Sequence, residues 1–107
     1  MATESAKIIA FRDSIQYVND SIVSQQIIKN SSGNVTLFAF DKDQQLSEHS
    51  APFDALVQVL DGTTEIRIAG KPYSLKSGEA IILPANVPHA VYASERFMML
   101  LTMIKGQ

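Results

Sequence analysis

From residue 22 onward the chain is a series of short apolar segments with period two, and several are apolar on both sides. In residues 35–40, Val35, Leu37 and Ala39 alternate with Thr36, Phe38 and Phe40. In residues 55–60, Ala55, Val57 and Val59 fall on one side, with Leu56 and Leu60 on the other. Successive side chains of a strand point to opposite faces, so such a segment needs cover on both. Residues 65–68 are one-sided instead, with Ile66 and Ile68 in and Glu65 and Arg67 out. The same reasoning gives strands at residues 22–28, 73–75, 80–83, 89–93 and 97–104. Turn residues punctuate them: a cluster over 30–34, the tight-turn dipeptide Asp61-Gly62, and a turn over 69–72. This spacing predicts an all-β sandwich or barrel. No stretch of 10–15 residues between strands has a helical period, which argues against α/β. Before residue 22, Asp13 is placed to cap a short helical turn with Ile15 and Val18 on one side. Residues 1–6 are small and polar and are expected to be loose.

Two-sided strands also bear on assembly. One face lines the interior, and the other needs a second sheet or a second subunit, because apolar patches of several hundred Å2 are seldom left bare. A homodimer is therefore expected. The alternative is that one chain covers both faces by itself.

Composition removes other possibilities. At 107 residues the chain is read as one domain over 1–107. With no cysteine it has neither a disulfide nor a thiolate metal site. Nine basic and eleven acidic side chains leave a formal charge of −2. That balance lacks the basic field of a nucleic-acid binder or of a polybasic membrane-surface protein. The most apolar run, residues 97–104, falls well short of the ~20 residues of a membrane helix. The sequence starts without a signal-peptide pattern, so a cytoplasmic location is expected. The glycosylation-type triplets at Asn19, Asn30 and Asn34 are then read as accidental.

Two segments carry a pattern with chemical content. In one, His49, Ala51 and Ala55 precede Gly62, with six residues between Ala55 and the glycine. In the other, Gly78 is followed after five residues by Pro84, then by Asn86 and His89, with Ala93 beyond. These two segments, over about 49–62 and 78–93, resemble the two motifs of the cupin superfamily of small β-barrels. The resemblance extends over about residues 34–104. It implies a small double-stranded β-helix or jelly-roll barrel. Asn86 stands where the family has glycine, and asparagine tolerates the left-handed conformation needed there.

The resemblance also implies a metal site built from two first-motif histidines, a first-motif glutamate and a second-motif histidine. His49 and His89 occupy the first and last of these positions, and Ala51 and Ala55 occupy the middle two. A divalent ion such as Fe, Mn, Ni or Zn normally takes at least three protein ligands. His49 and His89 are the candidate metal ligands. Asp54 would join them only if a bulge near Pro52 turned it inward, and Glu48 is likewise one residue out of phase.

By strand parity the candidate cavity is lined by His49, Ala51, Ala55, Val57, Val59, His89 and Val91. It is an apolar space with two imidazoles at one side, suited to a small, partly apolar molecule or to a packed core. Met98, Met99 and Met103 are read as core filler, and Tyr73 and Tyr92 as strand residues with a polar tip. No nucleophile elbow and no phosphate loop is present. The expected function is small-molecule binding without a robust metal. Two alternatives stand beside it: a metal-dependent enzyme of dioxygenase or isomerase type using the two histidines, and a structural dimeric barrel.

Overall fold

The computed structural model describes residues 4–105 and is built almost wholly of antiparallel strands. In chain order these are α1 (Phe11–Ser14), β1 (Ile22–Asn30), β2 (Gly33–Phe40), β3 (Gln45–His49), β4 (Asp54–Asp61), β5 (Thr63–Ile68), β6 (Lys71–Lys76), β7 (Ala80–Leu83), β8 (His89–Tyr92) and β9 (Phe97–Ile104). One sheet has the order β1-β2-β9-β4-β7 and the other β3-β8-β5-β6. The all-β expectation holds, and the predicted bounds of 80–83 and 97–104 match β7 and β9.

Between the sheets lies the main core. The five-stranded sheet contributes Phe40, Ala55, Val57, Val59, Leu83, Phe97 and Met99, and the other contributes Ile66, Leu75 and Val91. Phe40 and Phe97 are register partners, and their rings stack at 4.6 Å between centroids. They close one end of the barrel. Ala55 pairs with both Met103 and Leu83 at the opposite end, where a loop carries the chain from β7 to β8.

Several local expectations are corrected. Asp61-Gly62 is not a hairpin turn, because β4 pairs with β7 and β9 whereas β5 pairs with β6 and β8. Gly62 is the corner at which the chain changes sheets. Its φ is +73°, and a side chain there would run into the Arg96 carbonyl. The turn read over 69–72 contracts to Ala69 and Gly70, both at positive φ, and Lys71 and Pro72 already belong to β6. Strand β3 went unread because its burial is almost entirely polar-side, with Leu46 alone half-buried. Asp13 does not cap α1. The cap position is Ala10, which gives no side-chain bond. Ile15 is buried while Val18 is exposed, so the two do not share a face. Of residues 1–6, the first three lie outside the described residues. Glu4, Ser5 and Ala6 are exposed, and Glu4 pairs with Lys7 at 3.1 Å.

The two-sided character of β2 is explained by a second core. Leu37, Ala39 and Met98 face away from the barrel interior and pack with Ile15 and Ile27, with Ile9, Phe11 and Tyr17 alongside. Residues 9–17 thus form a strap over part of the outer face of the five-stranded sheet. The strap is tied to the end of β4: Asp61 accepts a hydrogen bond from the Tyr17 hydroxyl at 2.6 Å and pairs with Arg12 at 2.9 Å. Burial and this carboxylate together push the Tyr17 phenol pKa well up. Part of the cover assigned to a second subunit therefore comes from the chain itself.

Candidate functional site

His49 ends β3 and His89 begins β8, and the two are register partners at the end of the barrel away from Phe40 and Phe97. Their rings meet edge to face with centroids 4.4 Å apart. His89 arrives there because Pro84 and Pro88 bracket the loop before it. Within that loop Asn86 has φ +65°, the left-handed conformation expected of it, and its N–H donates to the Ala51 carbonyl at 2.7 Å. One bond thus ties the two motif segments together beside the histidine pair. Pro88 supplies a further brace, its carbonyl accepting the Ala69 N–H at 2.8 Å.

Both imidazoles are held in the same way. His49 Nδ1 lies 2.8 Å from the Ser47 carbonyl and His89 Nδ1 lies 3.3 Å from the Val87 carbonyl, in each case two residues back. A carbonyl oxygen only accepts, so Nδ1 carries the proton in each ring and Nε2 carries a lone pair when the ring is neutral. His49 is exposed, whereas His89 is 8 % exposed. Among the described residues no buried side-chain nitrogen lacks a partner, so the unbonded Nε2 of His89 keeps contact with solvent. Burial lowers the His89 pKa below its ordinary value, the charge of His49 lowers it further, and the bond to Val87 opposes both. The neutral form of His89 is thereby favoured, and in that form its Nε2 is an acceptor.

The remaining expected lining divides into two groups. Ala55, Val57, Val59 and Val91 belong to the interior cluster and pack with Phe40, Phe97 and Met99. Ala51 lies between β3 and β4, half-buried, beside the histidines through its bond to Asn86. This end of the barrel thus brings His49, the Nε2 edge of His89 and Ala51 together at the surface, with Ala55 beneath. It is a rim backed by a packed interior.

Neither Asp54 nor Glu48 completes a metal set. The strand irregularity nearest the histidines falls between Leu46 and His49 rather than at Pro52, and β4 enters its pairing with β9 in regular register from Asp54 to Val59, shifting only between Val59 and Asp61. Asp54 pairs with Ile104 on the outer face, opposite to Ala55, and accepts the Ala85 N–H at 2.9 Å. Glu48 is exposed. Among the described residues no three His, Cys, Asp or Glu side chains come together as a metal site. Two imidazoles fall short of the three protein ligands a divalent ion normally takes, so the residues present do not fit the cupin metal.

A cleft of about 860 Å3 lies elsewhere, on the outer face between the strap and the ends of β4 and β9, and includes Tyr17, Leu60, Arg96 and Met98. Sequence reasoning missed it because it depends on the strap. Its strongest polar groups are already engaged. Asp61 holds Tyr17 and Arg12, while Arg96 pairs with Asp41 at 2.7 Å and donates to Asn19.

Comparison with known proteins agrees with this architecture. The cupin domain family model matches residues 36–104, and the chain belongs to that family. A conserved protein of unknown function from Streptococcus pyogenes is 34 % identical, with a TM-score of 0.93 over 100 % of this chain and 94 % of that one. A cupin 2 conserved barrel domain protein from Leptotrichia buccalis is 42 % identical with a TM-score of 0.86, over 88 % of this chain and 46 % of that one. This chain therefore spans about half the length of the Leptotrichia protein. KdgF from a Halomonas species shares the fold at 20 % identity, with a TM-score of 0.74 over 92 % of this chain and 93 % of that one. No curated protein matches.

Proposed function

We propose that this chain is a small-molecule-binding cupin whose site is the His49–His89 rim, and that it binds without a resident metal. The observation that carries the reading is the pair of carbonyl-braced imidazoles meeting at 4.4 Å beside Ala51. The alanines at the two middle motif positions remove charge and bulk, so the ligand has an apolar part next to the two polar ring edges. The test is a screen of small molecules followed by mapping of the bound site by NMR. Binding should shift the Ala51 and Ala55 methyls and the rings of His49 and His89. A best binder that shifts only residues of the strap cleft would overturn the reading.

A homodimer belongs to the same proposal. Along the outer face of the five-stranded sheet, Ile28, Val35, Thr102, Leu56 and Ile82 are consecutive register partners across all five strands. Ile28 and Ile82 are 52 % and 61 % exposed, as is Ile104 at 61 % in the next row. This uncharged row lies beside the strap but outside the second core's buried set, and a copy of itself would match it by two-fold packing. Light scattering at micromolar concentration should give twice the chain mass for the native protein and the monomer mass for Ile82→Asp. A native monomer would refute it. We place the protein in the cytoplasm, in keeping with its lack of cysteine. Among the described residues no helix is long and apolar enough to cross a membrane.

A further inference from the structure

The two histidines also define what kind of ligand the rim accepts. Each Nδ1 is committed as a donor to a carbonyl of its own chain, at Ser47 and at Val87. Each Nε2 is left as an acceptor, and both ring edges lie within one small molecule's reach, since the centroids are 4.4 Å apart. A neutral imidazole edge with a lone pair repels another acceptor, such as a carboxylate or ether oxygen, and welcomes an O–H or N–H. The Ala51 carbonyl, a backbone acceptor on the first motif, is already taken by Asn86. The surroundings are apolar: Ala51 and Ala55 on one side, and the partly buried Ile68, register partner of His89, on the other.

We infer that the rim selects an uncharged ligand that donates two hydrogen bonds from neighbouring hydroxyls and carries an apolar body against Ala51 and Ile68. This deepens the binding reading above and rests on it. The chemical class is a vicinal diol on a small hydrocarbon frame. A ligand lacking the donors would leave two desolvated lone pairs without partners, and sites built on hydrogen bonds discriminate strongly against such analogues.

Three probes of one shape test this on the native protein after dialysis against chelator. They are cis-1,2-cyclohexanediol, its dimethyl ether and cyclohexanecarboxylate, titrated while the His49 and His89 ring nitrogens are followed by 15N NMR. In the free protein the neutral form of both rings should be the Nδ1–H tautomer. The diol should shift both Nε2 resonances and bind about tenfold or more tightly than its ether, with the carboxylate weaker still. An Nε2–H form of either ring in the free protein overturns the inference. So does an ether or carboxylate that binds at the rim as tightly as the diol, an outcome that leaves the rim standing as a binding site. If none of the three shifts Ala51, Ala55 or either histidine, the donor-class inference fails. If the broader screen is also silent at the rim, the binding reading fails with it.

Discussion

The two ends of the barrel are built from opposite materials. At the closed end Phe40 and Phe97 are fully buried and stack on each other, and Gly62 and Arg96 pack the corner behind them. At the open end the register partners are His49 and His89, one exposed and one buried, each braced by a carbonyl two residues back in the chain. Similar cross-strand pairing serves stability at one end and leaves usable ring nitrogens at the other. Dispersion and burial hold the closed end, and those terms grow with area. Hydrogen bonds that fix ring orientation hold the open end, and each adds little net stability. Substitution should therefore damage the fold at the closed end and binding alone at the open end.

The sharpest way to break that contrast is at the closed end. Phe97→Ala removes a fully buried ring from the stack and should cost about 3–5 kcal/mol in denaturant unfolding. A cost under about 1 kcal/mol would mean the closed end is not where stability resides. At the open end, His49→Phe and His89→Phe keep a ring in place while removing the lone pair and the Nδ1–H. Each should change stability by no more than about 1.5 kcal/mol, yet abolish rim binding measured by calorimetry. Unchanged binding in both variants would show that the rings serve only as packing.

The smallest expected effect is on pH dependence. Burial first, and then the neighbouring His49, lowers the His89 pKa below its ordinary 6.5. A base depressed in the folded state takes up protons more readily when unfolded. Its neutral form therefore contributes stability that is complete above about pH 6.5 and is lost as pH falls through the lower folded value. Protonation also turns Nε2 into a donor, so affinity for the rim ligand should fall over the same acid range. The His89→Phe variant should lack this step in its unfolding free energy. A step of the same size in the variant would assign it to another group.

Much of this architecture was legible in the sequence, for reasons that differ by region. The alternation of Val57 and Val59 with Leu56 and Leu60 revealed β4 because burial on a strand has period two. The spacing from Gly78 through Pro84 to His89 gave the loop, and Asn86 adopts the left-handed conformation that spacing required. The polar strand β3 escaped because its one half-buried residue, Leu46, makes no pattern. The strap escaped for a different reason. Ile9, Phe11, Ile15 and Tyr17 have no clean period, and their partners Leu37, Ala39 and Met98 lie far along the chain. At the site, His49 and His89 were legible as a pair. The carbonyl braces that set their ring nitrogens were not, since they depend on backbone placement at Ser47 and Val87. Asp54 shows how a shift in irregularity decides a role. With the strand break at Leu46/His49 rather than at Pro52, its carboxylate faces outward and holds the Ala85 N–H.

On the binding proposal, the His49–His89 rim is where this protein meets its ligand. Native mass spectrometry of the protein as purified, beside the His49→Phe/His89→Phe double variant, addresses it most directly. A small organic adduct on the native chain, without a stoichiometric metal, is expected, together with its loss in the double variant. An adduct retained in full by the variant, or one equivalent of iron, manganese, nickel or zinc on the native chain, would contradict it.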